Sequence, residues 1–179
     1  IEQWGDMKWR WMGAAFWGCS NLVINATDAP DLSNVTRMNG MFRDATSFNS
    51  DISHWDVSNV TNMANLFGGA TAFNQDLSSW NTSRVTNMNN IFNGASAFDQ
   101  SLGNWDMQSV TGYNNFFNGV TLSTANYDAM LIGWATQPNL RSSKTLNLGT
   151  TTYSLAAQAA RDKLIADFSW TINDGGLSD

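Results

Sequence analysis

The hydrophobic positions of the chain recur at a fixed step of 25 residues. The series that keep this step are Phe48, Phe73 and Phe98; Trp55, Trp80 and Trp105; Val35, Val60, Val85 and Val110; Met38, Met63, Met88 and Tyr113; and Phe42, Phe67, Phe92 and Phe117. A unit this short cannot bury its own apolar face, so neighbouring units must stack and share one continuous core. The pattern therefore predicts a solenoid in which each 25-residue unit forms one coil.

Within one unit, residues 48–72, the pattern predicts which segments face the core. Asp51–Ser53 is a candidate short strand with Ile52 pointing inward, because side chains alternate along a strand. Val60–Phe67 has apolar residues at helical spacing, and Gly68 is a fitting C-cap. A strand and a short helix on opposite sides of each coil are the leucine-rich-repeat plan. The inward side chains expected in this unit are Phe48, Ile52, Trp55, Val60, Met63, Leu66 and Phe67.

Both ends of the chain depart from the repeat and are predicted to cap it. Met12 precedes Met38 by 26 residues, so a degenerate first unit carries one inserted residue. The N-terminal segment would cover one open end with Trp4, Trp9, Trp11, Trp17, Met7 and Met12. The other end would be covered by a helix from Ser123 or Thr124, a strand at 145–148, a helix from Ser154 to about Phe168 with Leu155, Leu164, Ile165 and Phe168 inward, and a strand at 170–172.

The predicted fold class is α+β: a right-handed, leucine-rich-repeat-like solenoid of about four 25-residue coils with a cap at each end. Its boundaries are an N-terminal cap at 1–22, repeats at 23–120, a C-terminal cap at 121–176 and a linker at 177–179, all within one domain, 1–179. Because the chain begins at Ile1 rather than Met, we expect it to be part of a longer protein.

Composition excludes several classes of protein. The chain is 42% hydrophobic and only 13% charged, the opposite of a disordered segment. Its net charge of −6 argues against a surface for nucleic-acid phosphates. Cys19 is the only cysteine, so it can form neither an internal disulfide nor a thiolate metal cluster, and its repeat position, shared with Ala45, predicts a small core residue. No apolar run reaches the roughly 20 residues of a membrane span.

The residue types present in the sequence give little support for a catalytic site. His54 is the only histidine, and Ser79 and Asn104 occupy its position in the next coils, which indicates a solvated repeat residue. A zinc site built on a histidine pair is therefore excluded. Carboxylates recur with the repeat, whereas glycoside hydrolysis needs one unique pair. We expect the protein not to be an enzyme.

Acidic residues are stacked in a chain that otherwise avoids charge. Asp51 and Asp76 occupy the same position in adjacent coils, where the spacing between neighbours would be about 4.8 Å. Two like charges this close repel by about 1 kcal/mol even in water. One interpretation is that each aspartate accepts backbone N–H groups within its own turn. The other is that Asp51 and Asp76 ligate calcium, whose preferred ligands are oxygens.

The segment Asn49–Met63 resembles the repeat of the BspA-like leucine-rich-repeat family of bacterial surface proteins. Thr121–Trp134 resembles the C-terminal unit that often closes such arrays. Together these resemblances cover about residues 12–176. They imply an adhesive or ligand-binding protein without catalysis, secreted or at the cell surface. Size, composition and C-terminal cap are also similar to the peptide-binding domain of RTX adhesins, which implies calcium dependence and capture of protein C-termini.

Candidate binding residues lie on two faces of the predicted solenoid. The outward strand positions would form a concave face, and concave solenoid faces are extended binding surfaces. A calcium ion held there could take the terminal carboxylate of a peptide. The predicted ligand-binding residues are Asp51, Ser53, Asp76, Ser78 and Ser101 on this face, with Asn90 and Asn115 in a second, Asn-rich region.

These residues and resemblances predict a ligand-binding module of a bacterial surface adhesin. It would recognise a peptide or protein, with the C-terminus as one candidate feature, on a host or neighbouring cell and with calcium as cofactor. The expected location is extracellular, as a monomeric module of a larger chain that neither binds nucleic acid nor inserts into a membrane. The alternatives are a structural spacer without a ligand and a carbohydrate-binding module.

Overall fold

The regular elements of the protein lie in its C-terminal third. The computed structural model describes residues 1–178. Its elements are helix α1 (Thr124–Ala135), strand β1 (Thr145–Asn147), helix α2 (Leu155–Phe168) and strand β2 (Thr171–Asn173). Strands β1 and β2 pair in parallel, with Thr145 opposite Thr171. Ser154 caps α2, since its hydroxyl oxygen accepts the Ala156 N–H at 3.2 Å. The helices and strands predicted for this segment are confirmed, with small shifts of their ends.

In the repeat region, equivalent residues of successive units lie side by side. Alternate N–H groups donate to carbonyl oxygens of the next coil at 2.8–2.9 Å: Met63 to Asn87, Asn65 to Asn89, Phe67 to Ile91 and Gly69 to Asn93. Met12 donates to Arg37, one residue further along the chain than in later coils, as the inserted residue requires. The units therefore stack coil on coil, while the leucine-rich-repeat class and the right-handed sense of the coils stay predictions.

The helix and the strand predicted within each coil are wrong. In place of the helix, Asn65 and Gly69 have φ of 57° and 72°, left-handed values that a right-handed helix cannot contain. Their N–H groups bond to the next coil instead of to a carbonyl four residues back. The segment Asp51–Ser53 is not a strand: Asp51 Oδ1 accepts the Ser53 N–H at 2.8 Å, and a turn begins at Ser53. Apolar spacing alone does not distinguish these turns from a helix, because both bury the same side chains.

Aromatic side chains stack along the core from coil to coil. The Phe67 ring centroid lies 5.6 Å from that of Phe42 and 5.5 Å from that of Phe92, with nearly parallel planes. Trp80 and Trp105 stack in the same way at 6.4 Å. Each such pair contributes roughly 0.5–1.5 kcal/mol beyond the area it buries. All the inward side chains expected in the unit from Phe48 to Ala72 are buried, as predicted.

The N-terminal cap differs from its prediction. Trp4 is buried and packs edge-on against Trp55, with ring centroids 5.3 Å apart. Trp11 and Trp17, however, are 60% and 54% exposed, and Met7 is exposed as well. Cys19 is exposed rather than in the core. Trp11 and Trp17 stand at the repeat positions of Arg37 and Arg43, which are not buried in the next coil either, whereas Cys19 is the exposed first-coil counterpart of the buried Ala45.

A buried carboxylate fixes the C-terminal cap. The Asp174 side chain is only 2% exposed. Its oxygens accept hydrogen bonds from the Tyr127 hydroxyl of α1 and from Arg161 Nε of α2, both at 2.8 Å. The cap therefore joins its two helices through one charge pair that is hydrogen-bonded on several sides, the condition under which a buried ion pair is tolerated.

Parts of the cap prediction need correction. Leu155 and Ile165, predicted to face inward, are exposed, while Leu164 is buried as predicted. Leu177 pairs with Tyr153 and Ser178 donates its N–H to the Tyr153 carbonyl at 2.7 Å, so both belong to the cap rather than to a linker. The last residue of that predicted linker, Asp179, lies outside the described residues.

Candidate ligand-binding site

A cavity of about 480 Å³ lies between the last coils and helix α1. One wall comes from the coils and includes Asp76, Ser78 and Ser101, three of the residues predicted to bind a ligand. The opposite wall is the exposed side of α1, including Asn126 and Ile132. The cavity therefore presents hydroxyls, amides and one carboxylate on the coil side, and the Asn126 amide beside exposed apolar surface on the α1 side.

The coil wall is built from tight turns that an aspartate closes. Asp76 Oδ1 accepts the Ser78 N–H at 2.8 Å, as Asp51 does with Ser53 one coil earlier. The hydrogen bond from the Ser53 N–H holds the pKa of Asp51 below its usual value. Stabilisation of the ionised form of Asp51 by this N–H group opposes the repulsion expected from a carboxylate in the next coil. Of the two interpretations that the sequence left open, the structure supplies the contacts of the first.

Two glycines bring helix α1 down onto the last coil. A Cβ added to Gly133 would collide with the carbonyl oxygen of Gly103, and one added to Gly103 would collide with the carbonyl oxygen of Ala129. Gly103 occupies the position that Ser53 and Ser78 hold in earlier coils. The last coil thus has glycine instead of serine where the helix backbone makes contact, so the helix can approach the coil closely.

Asp99 positions the N-terminal end of α1. Its Oδ1 accepts hydrogen bonds from the Ser123 N–H at 2.7 Å and from Asn126 Nδ2 at 3.0 Å. Burial raises the pKa of Asp99, but these hydrogen bonds outweigh it, so the pKa lies below its ordinary value. A carboxylate at a helix N-terminus is also stabilised by the helix dipole. Asn126 is therefore held in place where it lines the cavity.

A second, smaller cavity of about 340 Å³ continues along the other side of the glycine contact. It shares Gly103, Asn104 and Gly133 with the first cavity and adds Asp106 and Thr136. The two cavities together form a groove that follows α1, which we call the α1 groove.

The remaining predicted site residues lie elsewhere. Asp51 and Ser53 do not line the α1 groove, since they lie one coil further from α1. Asn115 Nδ2 donates to Asn90 Oδ1 at 3.0 Å, and both residues adopt left-handed φ values of 52° and 56°. Their amides thus serve the turns of the coils rather than the α1 groove.

Sequence reasoning missed the helical wall of the groove. The side chains concerned are Asn126, Ala129 and Ile132 of α1. The helix itself was predicted, but only its buried face was assigned a role. The available signal was the pair Gly103 and Gly133, since glycine in place of a repeat serine and glycine inside a helix both mark close backbone approach.

The residues present fit a calcium site only in part. Among residues 1–178 no group of three or more His, Cys, Asp or Glu side chains could hold a metal ion. Asp51 and Asp76 each use one oxygen on a backbone N–H, which leaves one each, whereas calcium takes 6–8 oxygen ligands. Calcium binding at these two residues stays a prediction, and a site there would need backbone, ligand or water oxygens as well.

No helix in the described part of the chain is both long and apolar enough to cross a membrane.

Comparison with known proteins gives one family match. The family model described as "Mycoplasma protein of unknown function, DUF285" matches residues 10–130. That stretch contains the stacked coils, the coil wall of the α1 groove and the first half of α1. No curated protein and no solved structure matches the chain.

Proposed function

The chain belongs to the DUF285 family, and on that premise we propose that it is a ligand-binding module whose α1 groove holds an extended peptide segment. The observation that carries the proposal is the cavity of about 480 Å³ in which Asp76, Ser78 and Ser101 face helix α1. The coil wall is polar and the α1 wall is partly apolar. An extended peptide likewise carries polar backbone groups and apolar side chains along its length.

The chemistry of the groove supports a peptide over a small apolar ligand. The amide oxygens of Gln100 and Asn126 can accept peptide N–H groups, since the nitrogens of these two amides donate to Asn74 and Asp99, and the Asn104 amide can both donate and accept. Ile132, 42% exposed, and Ala129 offer a place for an apolar side chain. Binding sites commonly combine apolar lining with a few polar groups that fix orientation.

The biological setting we propose is adhesion at a bacterial cell surface. Its support is the resemblance of Asn49–Met63 to the repeat of BspA-like surface proteins, which adhere or bind without catalysis. The ligand would then be a segment of a protein on a host or neighbouring cell, and the module would sit in a larger extracellular chain.

Calcium would determine whether the groove can recognise the C-terminus of a peptide or only an internal segment. Asp76 places a negative charge in the groove, which disfavours the terminal carboxylate of a peptide. Calcium on Asp51 and Asp76 would neutralise their two charges and could take the carboxylate of a C-terminus as a further oxygen ligand. Recognition of a free C-terminus is therefore expected only with calcium, whereas internal peptide segments do not need it.

The test is a peptide library presented with free and with amidated C-termini, in calcium and in EDTA. Binding of some peptides at micromolar Kd supports the proposal, and loss of the free-carboxylate preference in EDTA supports the calcium part. If EDTA changes neither binding nor the melting temperature, calcium plays no part. If no peptide binds under either condition, the proposal fails and the spacer alternative is favoured over peptide binding.

A pair of variants ties binding to the groove. Ala129→Trp would fill the α1 groove from the helix side, and we expect it to weaken peptide binding at least tenfold. Ala125→Trp is the matched control, because Ala125 is also exposed on α1, one turn earlier, and does not line the groove. Equal loss of binding in both variants would contradict the assignment.

A further inference from the structure

A second groove lies on the stacked coils and shares no lining residue with the α1 groove. It has a volume of about 490 Å³ and crosses three coils, with Thr61, Thr86 and Thr111 at equivalent positions. Arg37 lies at its N-terminal end. None of its lining residues is acidic, and none carries an apolar side chain. We call it the amide groove, because asparagines stand beside the threonines.

The asparagines of this groove have their oxygens committed inside the protein. Asn62 Oδ1 accepts the Ala64 N–H and Asn87 Oδ1 accepts the Asn89 N–H, both at 3.0 Å. Asn89 Oδ1 accepts the Asn114 N–H at 2.8 Å. These bonds fix which end of each amide is oxygen, since a backbone N–H can only donate. The three Nδ2 groups have no hydrogen-bond partner within residues 1–178 and remain as donors lining the groove.

The threonines contribute the opposite capability. Thr86 Oγ1 donates to the Thr61 carbonyl and Thr111 Oγ1 to the Thr86 carbonyl, each at 3.1 Å. With their protons used in this way, the hydroxyl oxygens keep lone pairs for an external donor. The amide groove thus combines fixed amide donors with hydroxyl acceptors, repeated at the spacing of the coils.

Positive charge lies at both ends of this arrangement. Arg37 forms no ion pair within the described residues. At the other end Lys144 Nζ donates to the Thr111 carbonyl at 2.7 Å. The protein as a whole has a net charge of −6 and repels anions. Arg37 and Lys144 would instead attract an anion locally to this groove.

We propose that the amide groove binds a sugar chain bearing oxyanions, that is, carboxylate or sulfate groups. The oxyanion would take the Nδ2 donors and Arg37, and sugar hydroxyls would donate to the threonine oxygens. A peptide fits this groove poorly, because no apolar side chain lines it. The site is separate from the α1 groove and does not depend on peptide binding there.

The test is calorimetric titration of the whole protein with a galacturonic acid trimer, in EDTA so that calcium cannot bridge. We expect millimolar or tighter binding, at least tenfold tighter than that of the matched neutral galactose trimer. A sulfated disaccharide in a parallel titration distinguishes the carboxylate from the sulfate source. Equal affinity for charged and neutral sugars, or binding of neither anionic sugar, would overturn the proposal.

One substitution replaces an amide donor of the groove by a carboxylate oxygen and keeps the hydrogen bond that closes the turn. Asn87→Asp keeps an oxygen to accept the Asn89 N–H but loses the Nδ2 donor, so we expect at least tenfold weaker binding of the anionic sugar. Asn81→Asp is the matched control: Asn81 Oδ1 accepts the Ser83 N–H at 3.1 Å in a similar turn outside the groove. Both variants change the net charge equally. If they weaken binding equally, or if Asn87→Asp has no effect, the anion does not bind in the amide groove.

Discussion

The indole Nε1 of Trp134 donates a hydrogen bond to the carbonyl oxygen of Leu102 at 2.9 Å. The same contact recurs one coil earlier, where Trp105 donates to Leu77 at 2.9 Å. Helix α1 therefore presents its tryptophan at the place where a further coil would present one. This relationship explains how a helix can follow a stack of turns without a break in the core, and it brings the other side of α1 to the groove.

The first prediction concerns this hydrogen bond. Trp134→Phe would remove the indole and leave the buried Leu102 carbonyl without this donor. The Trp105 N–H still donates to this carbonyl at 3.0 Å, so we expect a loss of about 0.5–1.5 kcal/mol in the free energy of unfolding for the hydrogen bond, in addition to the lost packing. Urea denaturation followed by far-UV circular dichroism would measure it.

A natural control exists at the other end of the stack. Trp55 is as buried as its counterparts, but its Nε1 has no hydrogen-bond partner in the described structure. Trp55→Phe should therefore cost packing alone and destabilise the protein less than Trp134→Phe. Equal losses would mean that the hydrogen bond contributes nothing measurable.

The buried side chains of this fold could be predicted from the sequence more fully than its backbone conformation. The 25-residue step identified the buried side chains, because stacking requires the same residue type at the same position in each coil. It did not reveal that Asn65 and Gly69 adopt left-handed conformations. Helical spacing and a chain of turns can bury the same residues, so only backbone conformation distinguishes them.

The candidate site could be predicted on one side only. Asp76, Ser78 and Ser101 were found because outward positions follow from the repeat. The helical wall breaks the period, so nothing in the repeat indicates how α1 lies against the last coil. That arrangement depends on the absence of side chains at Gly103 and Gly133, which a pattern of apolar residues does not record.

The second prediction concerns the close contact of α1 with the last coil. In an exposed helix, Gly→Ala stabilises by roughly 0.8–1 kcal/mol. At Gly133 a Cβ would meet the Gly103 carbonyl oxygen, so Gly133→Ala should instead destabilise, by about 1–3 kcal/mol. A lower urea midpoint in Gly133→Ala would show the expected destabilisation, and a higher one would show stabilisation. A stabilised variant would mean that α1 does not press on the coil.

The third prediction concerns the left-handed turn position of each coil. Asn90 has φ of 56°, and Gly40 holds the equivalent position with φ of 65°. Asn90→Ala should destabilise by about 1 kcal/mol or more, because a Cβ disfavours this conformation and alanine cannot bond locally. Asn90→Gly loses the same side-chain contact with Asn115 without the strain, so it should be the milder change. Chemical denaturation of both variants separates strain from the lost hydrogen bond.

The last prediction concerns pH. Hydrogen bonds from the serine two residues on hold the pKa of Asp31, Asp51 and Asp56 below the usual 3.8. A carboxyl with a lowered folded pKa stabilises the fold above its unfolded pKa, and this stabilisation is lost as pH falls through the folded pKa. The urea midpoint should therefore hold near neutral pH and fall below about pH 4. Asn81 shows that the turn accepts asparagine, which keeps the acceptor oxygen but cannot titrate. Replacing all three aspartates by asparagine should make the fall shallower, and an unchanged profile would place its source in other carboxylates.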